Sequence, residues 1–167
     1  MITPQAASTS QALVDALLDA RRVELELLDR LTDVQLLGVR GHFLEPPIWE
    51  MGHVGWFREY WLQRQLDGAA PLLRGTDEIY DSFNVSYTRR WDHRFPSRAE
   101  TLAYITAVLE RSVARLESRE PRNGYEAYLY ALAAQHQRIH TAQIYASIRP
   151  TQLKRSVEFL ETKASRC

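Results

Sequence analysis

The chain has 167 residues, 45% of them hydrophobic and 25% charged, which suits one globular domain with a sizeable core. Its 21 basic and 21 acidic residues cancel, so there is no electrostatic footprint for nucleic acid or an anionic membrane. The single cysteine, Cys167, rules out an internal disulfide, and no apolar run approaches the roughly 20 residues that span a bilayer.

In chain order, Met1 to Ser10 is polar and lacks the apolar core of a signal peptide. The expectation is a soluble, cytoplasmic protein. A first helix is predicted from about Ser10 to Leu31, with Leu13, Leu17, Leu18, Leu25 and Leu28 at helical spacing and Ser8, Thr9 and Ser10 as candidate caps. A second begins at Pro46-Pro47, where proline suits a first turn, and runs to about Asp67-Gly68. Its apolar face carries Trp49, His53, Trp56, Phe57 and Tyr60. The third starts after Pro96-Ser97, with Ser97 and Glu100 spaced as a capping box, and continues to about Glu117. The fourth runs from about Gly124 to Ser147 and ends before Pro150. Tyr125, Leu129, Leu132, His136, Ile139, His140 and Gln143 are expected on its inward face. Thr151 to Thr162 would form a short fifth helix.

Strand signals are weak, because no alternating run is bounded by hairpin turns. The pattern predicts an all-α, antiparallel four-helix bundle in a single domain, residues 1–167, with its core at about 10–150. The connection from Gly68 to Pro96 is far longer than the roughly 2–8 residues usual between bundle helices. It contains Tyr80, Phe83, Tyr87 and Trp91, too aromatic for a disordered linker. It is expected to be ordered and to lie over the bundle end.

The best clue to function is a set of three histidines. His136 and His140 are four residues apart on one helix, which puts both rings on one face, one turn apart. His53 lies in the centre of an apolar face, where each imidazole nitrogen needs a partner. Three such ligands hold a divalent metal ion and leave positions open for water or substrate. The alternative is three packed or solvated structural histidines. His42 and His93 sit in polar loop sequence, and for them solvation is the default reading. In the long connection, Arg89-Arg90 beside Tyr87 and Trp91 would clamp a carboxylate. Alternatively the arginines pair internally, with Asp81 as one partner, and the aromatics plug the bundle end.

Pro46-Pro47-Ile48-Trp49-Glu50-Met51-Gly52-His53-Val54-Gly55-Trp56-Phe57, then Tyr80-Asp81-Ser82, Arg89-Arg90-Trp91, and His136 with His140, resemble the DinB-like domain. More narrowly, they resemble the N-terminal domain of the ergothioneine-biosynthesis sulfoxide synthases. The likeness covers about Leu13 to Pro150. It implies a four-helix bundle with a three-histidine non-haem iron site, whose iron activates dioxygen and joins a thiol sulfur to the imidazole of trimethylhistidine. His53, His136 and His140 fall on the ligand positions. Arg89 or Arg90, with Tyr87 beside them, falls near the groups that hold the thiol substrate's carboxylates. The implied cofactor is a divalent metal ion, Fe2+ first, with Zn2+ or Ni2+ as alternatives in isolated protein.

The sequence departs from that pattern at two positions. Ala142 stands where the family usually carries glutamate, and Ile139 where a glutamine often faces the imidazole substrate. The full enzymes also use a large C-terminal domain with a catalytic tyrosine, for which 167 residues leave no room. The expectation is a retained metal site without the full reaction, in a stand-alone relative, a homodimer, or a chain whose partner supplies the missing half. The ligand would be a small thiol or a histidine derivative. Competing readings are a metal-dependent thiol transferase or isomerase, in which the ion lowers a thiol's pKa, and a non-catalytic metal- or ligand-binding module.

Overall fold

The computed structural model describes residues 9–40 and 45–164, from 149 onward by backbone alone. The described residues contain helices and no strand. The long elements are α1 (Thr9–Leu28), α3 (Pro47–Glu59), α5 (Arg98–Ser118) and α6 (Gly124–Ala164), and the short helix α2 (Asp33–Leu37) links α1 to α3. The expected all-α four-helix bundle is present.

Local chemistry sets the helix ends. Pro47 occupies the first turn of α3, where its missing N–H is one that the helix would leave unbonded anyway. Ser97 and Glu100 form the expected reciprocal capping box of α5, and Thr32 with Gln35 forms another at α2. α3 passes directly into a π-helical stretch, Tyr60–Gln65. There the widened turn delivers Gln63 Nε2 to the Val108 carbonyl (2.8 Å) and Ser112 Oγ (3.3 Å) on α5.

The fourth helix is longer than expected. Its backbone stays helical through position 150 to Ala164, so the separate helix expected at 151–162 is continuous with it. Proline removes one backbone hydrogen bond but does not by itself forbid helical dihedrals. The buried face of α6 also lies about one residue away from the expected one. Leu129, Tyr130, Ala133, Ala134, Gln137 and Ile144 are buried, whereas Tyr125, Ile139 and Gln143 are exposed. Aromatic and aliphatic side chains at those positions suggested an inward face that the small alanines actually provide.

Helix directions follow from the residue pairings. Val14 and Leu17 share an apolar cluster with Leu129 and Ala133, and Leu28 shares another with Ile144 and Ile148, so α1 and α6 run parallel. Glu59 meets Tyr104 and Gln63 meets Val108, so α3 and α5 are parallel as well. The pairs α1/α5 and α3/α6 are antiparallel, as the contacts Ser10–Arg119, Arg21–Thr106 and Leu28–Arg98, and Glu50–His140 and Arg58–Gln137, show. A parallel neighbour requires a return along the full length of the bundle, and this explains the long connection between α3 and α5.

Two apolar layers fill the bundle. One is built around Leu28, Met51, Ile105, Val108 and Ile144, the other around Leu17, Leu62, Leu109, Tyr130 and Ala133. Each large aliphatic side chain buried in them contributes about 1.5–3 kcal/mol. Between the layers in sequence lies a buried polar chain. Arg58 donates to Gln137 Oε1, Gln137 donates to Glu24 Oε2 (2.7 Å), and Arg21 donates to the same Glu24 oxygen (2.5 Å). A third apolar group, Trp49, Trp56 and Tyr80 with Phe57 and Tyr60 against it, covers the α3 side.

The long connection is ordered. It holds α4 (Thr76–Tyr80) and a 3-10 turn (Tyr87–Trp91), and it docks on α3. Trp49 Nε1 donates to the Ile79 carbonyl (2.7 Å), and Trp56 Nε1 donates to Asp77 Oδ1 (2.6 Å). Arg64 grips the Asp77 carboxylate with two hydrogen bonds, 2.6 and 2.8 Å.

Candidate metal centre

His53 from α3 and His136 and His140 from α6 converge. Each ring offers one nitrogen, and these nitrogens lie within 4.8 Å of one another, a span that one ion can bridge with bonds of roughly 2.1 Å. The ring centroids are 5.0 Å (His53–His136), 4.8 Å (His53–His140) and 4.3 Å (His136–His140) apart.

Each ring is held differently. His53 stacks on Trp49, with centroids 4.7 Å apart and an interplanar angle of 10°, and its Nδ1 donates to the Tyr80 carbonyl at 2.8 Å. Gly52 makes that contact possible. A Cβ at position 52 would lie 2.1 Å from the Tyr80 ring, so only glycine lets Tyr80 pack against α3 with its carbonyl at His53. Gly55 permits the close approach of α5 in the same way, since a Cβ there would meet Tyr104 at 3.0 Å. His136 stacks on Phe57, centroids 3.8 Å apart at 11°. His140 is hydrogen-bonded through Nδ1 to Oε2 of Glu50, a carboxylate buried at 3% exposure.

The electrostatics keep the nitrogens available. Burial drives His53 down to about 4, His140 to about 4 and His136 to about 2, with the neighbouring His140 ring adding to the effect on His53 and His136. All three are therefore uncharged at neutral pH. Burial pushes Glu50 up to about 8. With Nδ1 of His53 occupied by Tyr80, Nε2 is the nitrogen left for the cluster. His136 Nε2 and His140 Nε2 face each other at 3.0 Å. A divalent cation fits that position, so the donor set suits a metal ion.

The other residues singled out in the sequence divide. Arg90 is at the site. Its guanidinium lies 4.2 Å from the Trp49 ring centroid and 5.8 Å from that of Tyr87, it is ion-paired with Glu45, and it donates to the Ser82 (3.0 Å) and Val85 (3.2 Å) carbonyls. The internal partner is thus Glu45; Asp81 instead caps its own turn, accepting from the Phe83 amide and from Asn84. Tyr87 is half-buried, and Arg89 is exposed. His93 is half-buried and belongs to neither group of donor atoms that could hold an ion. His42 lies outside the described residues. Ile139 is half-exposed at 49%, and Ala142 lines a groove of about 350 Å³ between α1 and α6 with Val23, Leu27 and Tyr145. Sequence reasoning passed over Glu50, Tyr80 and Phe57 as site residues. For Glu50 the signal was a lone carboxylate three residues before His53, within a stretch that is otherwise apolar.

Residues 16–144 match the DinB superfamily. The chain belongs to the DinB superfamily. Among curated proteins, this DinB-superfamily chain is similar to the hercynine oxygenase of Mycobacterium tuberculosis (strain ATCC 25618 / H37Rv). The two are 27% identical over 123 residues, 72% of this chain and 28% of the relative. It is 25% identical over 132 residues to the hercynine oxygenase of Mycolicibacterium smegmatis (strain ATCC 700084 / mc(2)155), covering 78% of this chain and 30% of that relative. The DinB-superfamily chain therefore spans less than a third of the length of these relatives.

Proposed function

We propose that this chain is a metal-dependent protein that acts on a small thiol or histidine-derived molecule, with His53, His136 and His140 as the ligands of one divalent ion. The observation that carries the reading is the convergence of three uncharged imidazoles, one buried and two half-buried, two of them anchored through Nδ1. Fe2+ is the favoured ion, and Zn2+ or Ni2+ are the alternatives. Bound there, ferrous iron would supply the activation of dioxygen that an oxygenase of hercynine, the trimethylated form of histidine, requires. The protein's own share is to hold and to exclude. Trp49, Trp56 and Phe57 stack around the rings and keep water from them. Arg90, with Tyr87 beside it, is the candidate contact for a ligand carboxylate, which would exchange with Glu45 on the guanidinium. Arg89 would reach such a ligand only from the rim.

The chain's own residues also favour a second reading, a thiol transferase or a binding module rather than an oxygenase. Ile139 is half-exposed and Ala142 lines an outer groove, so neither supplies a polar contact to an imidazole substrate.

The test is elemental analysis of protein purified without chelator, followed by titration with carboxylate-bearing thiols with and without oxygen. The proposal expects about one equivalent of divalent metal and saturable thiol binding that weakens in Arg90→Ala. Protein that takes up no divalent metal would remove its basis. Tight thiol binding without oxygen consumption by the iron form would select the second reading.

A further inference from the structure

We propose that Glu50 is the positioning residue of the metal centre. With an ion bound, its carboxylate accepts a hydrogen bond from Nδ1–H of His140, fixes that ring with Nε2 toward His53 and His136, and lends negative charge to the three imidazoles. The inference rests on the metal reading above.

Glu50 lies one turn before His53 on α3, in a stretch where Ile48, Trp49 and Met51 are all buried. A carboxylate taken out of water is strongly destabilising unless a cation or several donors compensate it. Among the described residues its hydrogen-bond partner is His140, a neutral ring. The adjacent cation, Arg90, is engaged by Glu45, Ser82 and Val85. A divalent ion on the far side of the His140 ring would compensate Glu50 through that ring. Carboxylate–histidine–metal arrays fix the tautomer and raise ligand basicity, and their loss weakens metal binding roughly 10–100-fold.

The same atoms allow a rival arrangement, since Glu45, Glu50 and His140 also bring one donor each within 4.8 Å. In that case Glu50 would bind the ion directly and His140 would turn Nδ1 to it. One ring cannot present Nδ1 and Nε2 to the same ion. The Nε2 of His140 already faces Nε2 of His136 at 3.0 Å, which favours the positioning role.

The experiment is titration of the metal-free chain with Co2+, for wild type, Glu50→Gln and Glu50→Leu, with proton NMR of the cobalt-loaded forms. Thermal melts of the metal-free variants report folding separately. The expected result is weaker Co2+ binding by roughly 10–100-fold in Glu50→Gln, and by more in Glu50→Leu, with unchanged or higher melting temperatures. The paramagnetically shifted Nδ1–H signal of His140 should move in Glu50→Gln and exchange rapidly in Glu50→Leu, while that of His53, bonded to Tyr80, stays in place. A merely structural glutamate would leave both signals alone. Equal Co2+ affinity in wild type and both variants would overturn the inference and leave the metal reading standing. So would a wild-type spectrum without a His140 Nδ1–H. Absence of Co2+ binding in wild type would instead remove the metal reading itself.

Discussion

At the level of single residues, the centre depends on imidazoles kept neutral by burial. On the proposed metal reading, replacing His140 or His136 by alanine leaves two protein ligands and a pocket that water can enter. We expect bound metal, measured by mass spectrometry after dialysis, to fall from about one equivalent to a small fraction, while His42→Ala retains the wild-type content. Equal content in His140→Ala and wild type would exclude His140 as a ligand. The same depressed basicity predicts a pH dependence of stability in the metal-free protein. The folded pKa values of His53 and His140, about 4, lie below the unfolded value of about 6.5. Between these limits the unfolded chain binds more protons, so stability falls as pH falls. Each histidine removes up to about 1.4 kcal/mol per pH unit across that window, and Glu50, held at about 8 in the folded state, binds a proton there and offsets about one of them. Melting temperature should therefore drop steeply from pH 6.5 to 4, and His53→Phe should flatten the profile. A flat wild-type profile would contradict the burial argument. The three histidines were legible because spacing and an apolar setting suffice to nominate them. Glu50 and Tyr80 were not, because a hydrogen bond to a ring's far nitrogen leaves no spacing pattern, and the Tyr80 contact is made by a backbone carbonyl.

At the level of elements, the junction of α3 with α4 is the tightest contact near the site. Gly52→Ala would drive a methyl group into the Tyr80 ring. We expect a loss of about 1–3 kcal/mol, typical of overpacking, with weaker metal binding as the Tyr80 carbonyl leaves His53. Calorimetry and metal titration of the variant check both, and unchanged values would show that Tyr80 can relocate freely. The helix starts at Pro47, Arg98 and Gly124 were legible because capping and proline chemistry is local. The inward face of α6 was less so. Hydrophobicity nominates Tyr125 and Ile139, but close packing against α1 selects Ala133 and Ala134, and only the partner helix determines that choice. Pro150 signals a stop because its effect on a backbone bond is local, whereas the structure carries the helix past it.

At the level of the whole molecule, the up-down-down-up order of the long helices brings α3 beside α6 and lays the 66–97 connection along α3. The centre is thus assembled from residues as far apart as 50 and 140. Bundle class was legible from periodicity, but helix order was not, because period says nothing about neighbours. The chain spans less than a third of the hercynine oxygenases it matches. We therefore expect the 167-residue chain, loaded with ferrous iron, to give no multiple-turnover sulfoxide from hercynine and a thiol. Orienting two substrates accounts for about 7–11 kcal/mol of a barrier and a placed acid–base group for roughly 10²–10⁴-fold. Aerobic incubation followed by mass spectrometry is the check; repeated turnover would show that the bundle is a complete enzyme.

The π-helical stretch at Tyr60–Gln65 has a consequence for how the site tolerates change. Such a turn behaves as one residue inserted into an otherwise regular α-helix, so it uncouples the two halves of a rod that would otherwise turn as one. Gln63, fastened to Val108 and Ser112, fixes the lower half, and His53 is aimed by the upper half. Deleting a single residue between 60 and 65 would restore regular winding and rotate one half against the other by about 100°. Either Gln63 would lose its partners on α5 or His53 would swing away from α6. The aim of the first histidine is thus set by chain length some ten positions downstream.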